Sequence, residues 1–444
     1  MSLTVTAAKL AALALVAASA TVSSTPVATT PYLVNSGTTP TTDMIRQCGT
    51  QMWAVGSFTS INSPKHTAVT RNNIFAFDMV SGAIAPVDPN VNGPVNTITF
   101  SPDCTSAYIG GAFTSAGGTA VTNIAKIDIT RDLSGVPTSD VVDPVFAHTS
   151  TGKVSAVLDV GGHLLVGGYF KTINGSSGSA GSYLTSLDPT TGKSDGYANN
   201  LRVSGTLPKD TTHIYKMWAN PAGDRVAIDG VFTSVLGAAR RQAFILDLGP
   251  RVVSGEICAP GTTTQFCLDP WHAPVLDEAC KSTVEQFYAK GLAWSPDPAG
   301  TFLYVASTGF RGATLCDSVA KFSSSPSPTQ APIWINKTGG DSLYSVAATA
   351  TDVYIGGHER WANNPLGVNT CGTGCVSRPG IGDIGATSGL ATPWDPTRSR
   401  GHGAGDLFLD SAGDLWISSD APPGSKCGVG VGSFHPGICE FAHS

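Results

Sequence analysis

Tyr108-Ile109-Gly110-Gly111-Ala112-Phe113 is a short apolar run that ends in two glycines, an alanine and a phenylalanine. Large aliphatic and aromatic residues favour a β-strand, and glycine within a strand marks a bend or a place where another backbone comes close. We therefore interpret this run as a strand whose phenylalanine points back into an apolar layer. Related runs occur at 53–58, 165–170, 227–232, 304–308, 354–358 and 416–420.

These seven copies define units one to seven, and they recur at a mean spacing of about 60 residues, compatible with propeller blades that carry loop insertions. An apolar strand and a hairpin turn precede most copies. A third strand ending in aspartate, such as Ile124–Asp128, follows the first four, and a short stretch with Asp-Pro, such as Val142-Asp143-Pro144, often comes next. Four strands in each of seven units predict an all-β fold, a seven-bladed β-propeller with four-stranded antiparallel blades.

Thr59-Ser60, Thr114-Ser115 and Thr233-Ser234 directly follow the repeated phenylalanines. With the aliphatic-Gly-Gly-x-Phe run, the strand ending in aspartate, the Thr-Gly turn and the Asp-Pro stretch, they form a pattern that resembles the delta-60-type propeller repeats of secreted bacterial proteins. The resemblance covers roughly residues 42–444 and is strongest in the first four units. It implies the propeller fold and no particular activity.

The start of the chain has the composition of an export signal. Residues 1–20 combine one basic residue, a short apolar core and the small residues Ala18-Ser19-Ala20, which predicts a secretory signal peptide; a disordered or buried arm is the alternative. Residues 21–31 are rich in Ser, Thr and Pro and predict a disordered linker. Residues 32–444 would then form a single propeller domain.

The last unit ends with its third strand at Ile438-Cys439-Glu440-Phe441, after which the chain stops. A four-stranded blade needs one strand more. We expect the segment around Tyr32–Asn35 to supply it, so that an N-terminal strand closes the ring.

Charge and cysteine content bear on the compartment and the partners. A net charge of −6 with 13% charged residues gives no electrostatic case for binding nucleic acid or an anionic membrane. No later run is apolar enough to span a membrane, and we expect a secreted monomer. Ten cysteines in an exported chain predict disulfides, and Cys371-x₃-Cys375 alone does not make a metal site. Repeat phase and proximity favour the pairs Cys48–Cys104, Cys258–Cys267, Cys280–Cys316, Cys371–Cys375 and Cys427–Cys439.

No nucleophile elbow, zincin, phosphate-loop or EF-hand motif occurs in the sequence. The aspartates that end the third strands are expected to cap turns rather than bind calcium, which needs several oxygens from one short loop. They are Asp78, Asp128, Asp188 and Asp247. We expect neither a metal ion nor a cofactor.

Departures from the repeat indicate where a ligand could bind, because propeller function usually lies in loops on one face. They are the insertion 249–290, the break of pattern at 358–361 and the basic segment 398–402. Together with basic loop residues elsewhere they could form a positive ring for an anionic ligand such as an acidic sugar; the alternative is solvated loop charge. The candidate ligand-binding residues are His358, Glu359, Arg360, Trp361, Arg398, Arg400, His402, Arg240, Arg241 and Arg311.

Three functions are compatible with the sequence. The favoured one is an extracellular binding module for a glycan or protein ligand. The alternative is an extracellular carbohydrate-active hydrolase or lyase, with acid and base groups in the loops of the fifth to seventh blades, and it needs such groups to converge. A quinone or copper redox propeller ranks last, because the histidines are dispersed. The acid–base candidates are His358, Glu359, Asp277, Glu278 and His402.

Overall fold

The computed structural model describes residues 22–35, 37–175, 182–198, 201–251, 253–258, 266–280, 287–310, 314–401, 403–430 and 433–444. Throughout these residues the regular structure is β-strand, apart from one turn of 3₁₀-helix at Pro274–Asp277. The prediction of an all-β fold is therefore confirmed. The described part of the chain contains no helix that is long and apolar enough to cross a membrane.

Each unit contributes one antiparallel sheet whose strands follow chain order, except that a short hairpin is added to the edge of unit four. The strands are Thr41–Cys48, Gln51–Ser57 and Ile74–Asp78 in unit one; Val95–Phe100, Ser106–Gly111, Ile124–Arg131 and Pro137–Val142 in unit two; Val154–Val160, His163–Gly168 and Leu184–Leu187 in unit three; His213–Ala219, Arg225–Val231, Ala243–Asp247, Cys267–Leu268 and Ile257–Cys258 in unit four; Ala289–Trp294, Phe302–Ser307, Ser318–Ser323 and Pro332–Lys337 in unit five; Leu343–Ala348, Asp352–Gly357 and Ile381–Gly385 in unit six; Ala404–Leu409, Leu415–Ser419 and Ile438–Phe441 in unit seven.

Short sheets lie beyond the second strands, where the Thr-Ser pairs and their counterparts turn the chain. They join Tyr32–Leu33 to Ser60–Asn62 and Ala68–Thr70, Ser115–Ala116 to Thr119–Ala120, Val203–Ser204 to Ser234–Val235 and Ala238–Ala239, and Trp361–Ala362 to Val376–Ser377.

The predicted fourth strand is present in units two and five but is reduced elsewhere in the described residues. Single bridges at Phe77–Ile84, Leu187–Ser194 and Ile384–Ala391 stand in its place in units one, three and six. In units one and six a proline follows the bridge, and proline has no backbone N–H to donate to a sheet ladder. The outer edge of the sheet is therefore short in these two units.

The first strands of the units lie side by side in chain order. The first strand of each unit contacts the first strand of the next, from unit one through to unit seven. The first strand of unit seven also contacts that of unit one, Thr41–Cys48, and Thr41 bridges to Asp420. The order of contacts therefore returns to its starting point.

The segment beside the last strand is not the predicted one. Val22 bridges to His443, and the Val27 amide donates to the Glu440 carbonyl at 2.9 Å. Residues 22–27 thus lie beside the end of Ile438–Phe441 and the residues that follow it, and Val22 is buried.

Tyr32–Leu33, predicted to be this outer strand, instead pairs with Ser60–Asn62 in unit one. The reason is its position in the repeat. Tyr32–Leu33 directly precedes the first strand of unit one, as Val203–Ser204 precedes that of unit four, and both pair with the hairpin beyond the second strand of their own unit. Residues 1–21, which include the predicted signal peptide, lie outside the described residues.

The paired glycines have separate steric roles. The second one faces the backbone of its own first strand: a Cβ on Gly111 would lie 2.1 Å from the Pro94 carbonyl oxygen, and Gly56 has the same relation to Thr41. The first one faces the next unit, because a Cβ on Gly110 would lie 2.4 Å from Val154 Cγ1. The glycines therefore permit close approach, as the sequence indicates.

Replacing Gly111 with alanine is expected to lower the free energy of unfolding by about 3 kcal/mol, since the opposing atom is backbone and cannot rotate away. Gly249→Ala is the control: a Cβ there meets nothing within 4 Å. Urea titration of the two variants measures the difference, and an equal loss in both would show that Gly111 is not sterically required.

The repeated phenylalanines Phe58, Phe113, Phe170 and Phe232 are buried, as predicted. Unit five has Gly309 at this position, and the space beside it holds Cys280 Sγ and Phe287. The ten cysteines form five disulfides, in the pairs that the sequence favours. Cys280–Cys316 thus lies where the first four units place an aromatic ring.

Candidate functional site

All seven first strands carry a register shift at the same place, one residue after the position that faces the second glycine or, in units five and seven, the serine that replaces it. A bulge of this kind re-aims a side chain out of the ladder. The seven bulged residues line a single cavity of about 350 Å³, which we call the bulge cavity. They are Asp43, Asn96, Ser155, Tyr215, Lys290, Tyr344 and Gly405.

The bulge cavity is basic and aromatic. Its described lining contains three lysines, Lys153, Lys216 and Lys290, against one carboxylate, Asp43. Three tyrosines also line it, at positions 169, 215 and 344. Asp43 accepts hydrogen bonds from Thr41 Oγ1 at 3.0 Å and Asn96 Nδ2 at 2.8 Å, while burial raises its pKa.

Lys216 reaches from unit four to units six and seven, neither of which neighbours unit four in the order of contacts. Its Nζ donates to the carbonyl oxygens of Tyr344 in unit six, at 3.0 Å, and Gly405 in unit seven, at 2.6 Å. Its backbone amide donates to Asp229 Oδ1 at 2.9 Å. Burial lowers the pKa of Lys216 and raises that of Asp229 to about 7. Asp229 stands where units two, three and six have the first glycine.

Two aromatic hydroxyls beside the cavity are held by acceptors. Because His213 Nδ1 lies 2.6 Å from the Thr211 carbonyl, Nδ1 carries the proton and Nε2 accepts from the Tyr169 hydroxyl at 2.8 Å. Burial lowers the pKa of His213 to about 4, so the ring is neutral. The Tyr215 hydroxyl donates to Asp210 Oδ2 at 3.3 Å. Both tyrosine orientations are therefore fixed from outside the cavity.

A second cavity, of about 670 Å³, lies at the hairpin-turn ends of the first strands. Its lining combines aromatic side chains, such as Phe100, Trp218 and Phe408, with polar ones, such as Arg46 and Gln47. It shares Met44 and Lys216 with the bulge cavity, so these two side chains lie between the two spaces.

Two candidate arginines of units six and seven meet at one carboxylate, and His358, a third candidate, contacts one of these arginines. Asp341, which is buried, accepts from Arg360 Nε at 2.6 Å and also from Arg400. Arg400 Nε donates to the His358 carbonyl at 2.6 Å, and its Nη2 lies 3.2 Å from His358 Nδ1. Asp341 therefore offsets part of the positive charge at this place.

Glu359 lies in the core rather than facing solvent. It occupies the position of the repeated phenylalanine and is fully buried, and neither carboxylate oxygen has a hydrogen-bond partner within the described structure. Burial raises its pKa to about 8, against the opposing effect of Arg398, which is also buried. The sequence does not predict this burial, because a charged residue in a loop is usually solvated.

The remaining candidates are dispersed. Arg240 is buried and donates to the backbone carbonyls of Ala239 and Asp269. Arg241 is partly exposed, and Trp361 is part of the Trp361–Ala362 hairpin. His402 and Arg311 lie outside the described residues.

The other acid–base candidates have partners of their own. Asp277 Oδ2 lies 3.2 Å from His272 Nε2, and Glu278 accepts from the Thr314 amide at 2.8 Å. Neither residue lines the bulge cavity.

The aspartates that end the third strands divide into two kinds. Asp78 and Asp188 cap their turns by accepting from backbone amides, as predicted. Asp247 instead pairs with Arg225 in the core, and Asp128 lies 3.5 Å from Lys126 Nζ.

One group of possible metal ligands occurs in the described part of the chain: Glu256 with Cys258 and Cys267. The two cysteines are joined in a disulfide, so their sulfurs are not thiolates and do not suit a metal ion.

Sequence reasoning missed the bulge cavity because its seven key positions share no residue type. A signal is nevertheless present. When the units are aligned on their second glycine, polar and charged residues recur at one position of otherwise apolar first strands, with Asp43, Asn96 and Lys290 as examples.

No protein-family model matches the chain, and no curated protein matches it in sequence. Solved structures do match it. One is the β-propeller domain of Cps50 (Swd1) from Myceliophteria thermophila, at 10% identity and a TM-score of 0.34, over 73% of this chain and 95% of that one.

Two further structures are similar. The extracellular domain of a one-component system from B. thetaiotaomicron matches at 12% identity and a TM-score of 0.44, over 92% of this chain and 39% of that one. The computationally designed protein Ika8 matches at 9% identity and a TM-score of 0.41, over 93% and 98% of the two chains.

Proposed function

We propose that the chain is a closed seven-bladed β-propeller that acts outside the cell as a binding module, and that it binds an acidic glycan in the bulge cavity. The cyclic order of contacts among the first strands supports closure. Residues 22–27, which lie beside the end of Ile438–Phe441, would be the strand that completes the seventh blade. Five disulfides favour an oxidising, extracellular setting.

The observation that carries the proposal is the composition of the bulge cavity: three lysines and three tyrosines around one carboxylate. Its volume of about 350 Å³ is at the lower end of the range for small-molecule sites. The end of a glycan chain fits this space better than a protein partner does, because a stable protein–protein interface needs a larger surface.

Charge selects the acidic class of glycan. A carboxylate or sulfate ester that enters the cavity meets the amines of three lysines in a partly desolvated space, where charge-assisted hydrogen bonds are strong. The negative charge of the ligand favours the protonated form of Lys290, whose pKa burial lowers to about 7. Lys153 Nζ lies 4.8 Å from the centre of the Tyr169 ring, so its ammonium is held near the cavity wall.

The tyrosines supply the second half of the recognition. Aromatic faces pack against apolar surfaces, and the C–H face of a sugar ring is such a surface. Tyr169 and Tyr215 are held by His213 and Asp210, so little side-chain entropy is lost when a ligand packs against them.

Isothermal titration calorimetry with trigalacturonate and neutral galactotriose tests the proposal. We expect the acidic trimer to bind at least tenfold more tightly, and we expect Lys153→Gln and Lys290→Gln each to weaken its binding about tenfold, or about 1.4 kcal/mol. Lys65→Gln, a change at an exposed lysine, is the matched control. Equal binding of both trimers, or equal loss in all three variants, would overturn the proposal.

A hydrolase or lyase acting on such a glycan is the second candidate. The His272–Asp277 pair, in the insertion 249–290, is the one observation that favours it, because a histidine next to a carboxylate can act as a general base. Following the titration mixtures for new reducing ends and unsaturated products separates the two functions. A product that disappears in His272→Gln would establish turnover.

A further inference from the structure

We propose that Lys290 is a reactive amine that forms an imine with small carbonyl compounds bearing an anionic group. This inference does not depend on glycan binding. It concerns the same cavity but a different chemistry, in which the protein forms a covalent bond with its ligand.

The position of Lys290 is the first support. It is the bulged residue of Ala289–Trp294, so the register shift directs it out of the ladder, and it lines the bulge cavity. Its Nζ lies 3.3 Å from the centre of the Tyr215 ring and 5.1 Å from that of Tyr288. Two aromatic faces therefore hold the amine at the cavity wall, where Lys290 is partly buried.

The charges around the amine are the second support. Lys216 and Lys153 oppose its protonation, whereas Asp229 and Asp210 favour it. Burial outweighs the two carboxylates and lowers the pKa of Lys290 to about 7. A desolvated lysine beside other cations is the arrangement that activates an amine as a nucleophile.

The reaction requires only the two partners. The lone pair of neutral Nζ attacks the carbonyl carbon, and a carbon–nitrogen bond forms. The carbonyl oxygen leaves as water together with the two hydrogens of the amine, which gives the imine without an oxidant or reductant. Lys153 and Lys216 line the same space and supply positive charge for the anionic group of the ligand.

The test uses glyoxylate with cyanoborohydride, which reduces an imine to a stable secondary amine. Peptide mass spectrometry of the full-length protein then gives the labelling rate of each lysine. At about pH 7 we expect Lys290 to be labelled at least tenfold faster than exposed Lys65, because a larger fraction of its amine is neutral. The ratio is expected to fall as the pH approaches the ordinary lysine pKa.

Lys290→Met is expected to remove this fast label and leave the label on Lys65 unchanged. Lys153→Met is expected to slow labelling of Lys290, since the anionic group loses a partner. Equal rates for Lys290 and Lys65 in the wild-type protein would overturn the proposal, and this comparison needs no variant to fold. Because no glycan is present, the result is separate from the outcome of the calorimetry.

Discussion

Replacing Arg225 with methionine is expected to lower the free energy of unfolding by about 3–5 kcal/mol, the loss typical of a buried ion pair that is deprived of one partner. Arg225 Nη2 lies 2.8 Å from Asp269 Oδ2, and Nε lies 3.3 Å from Asp247 Oδ1. Both aspartates are fully buried. The variant would leave the charges of both aspartates without this partner. Because methionine fills most of the volume of the arginine side chain, the loss would come from the charges rather than from a cavity.

Arg225 also joins unit four to unit five, because Nη2 donates to the Ser324 carbonyl at 2.8 Å. Arg251 is the matched control: its Nη1 lies 3.5 Å from both Asp247 and Asp269, but its side chain is 38% exposed. We expect Arg251→Met to cost less than about 1 kcal/mol.

Urea unfolding of the two variants gives the comparison. Since burial and the nearby Asp269 raise the pKa of Asp247 to about 7, the deficit of Arg225→Met should shrink as the carboxylates take up protons below that pH. Similar losses for both arginines, or a deficit that does not change with pH, would contradict a central role for Arg225.

Replacing Glu359 with glutamine is expected to stabilise the protein by about 3 kcal/mol at about pH 8, and by little at about pH 4. The sign follows from the direction of the shift. Burial raises the folded-state pKa of Glu359 to about 8, above its ordinary value. The folded protein then binds the proton more tightly than the unfolded chain, so stability is lost as the pH rises from the unfolded to the folded pKa.

Glutamine keeps the shape of the side chain and removes the titration. Arg398 keeps Asp420 as a neighbouring carboxylate in this variant. Glu278→Gln, at an exposed carboxylate, is the control and is expected to change stability by less than about 0.5 kcal/mol. Thermal unfolding of both proteins across this pH range checks the prediction. If stability changes with pH in the same way in Glu359→Gln and in the wild-type protein, Glu359 does not titrate in this range.

The sequence predicts the repeated part of this fold well because the steric demand is repeated. Gly56 and Gly111 each face a backbone carbonyl of the neighbouring strand, so only glycine fits, and the pattern becomes visible. The Tyr32–Asn35 prediction fails for a related reason. Strand propensity is a local property, but the pairing partner of a strand depends on its position in the unit. Val203–Ser204, at the equivalent position in unit four, also pairs with the hairpin beyond the second strand.

The candidate site is less visible in the sequence. The bulge directs any residue at its position toward the cavity, whatever its type. Residues as different as Tyr215, Lys290 and Gly405 therefore occupy equivalent positions, and no residue pattern marks them in the sequence. Glu359 misleads for the opposite reason, because a charged residue at a phenylalanine position suggests exposure while the packing buries it. The proposed binding site therefore depends on where the seven first strands converge rather than on a local motif.

The most direct test of the account is the location of a bound acidic glycan in a crystal of this protein soaked with trigalacturonate. We expect difference density in the bulge cavity. A carboxylate of the sugar should lie within hydrogen-bond distance of Lys153 or Lys290, and a sugar face should pack against Tyr169 or Tyr215. Density confined to the arginines around Asp341, or to the second cavity at the hairpin-turn ends, would contradict it.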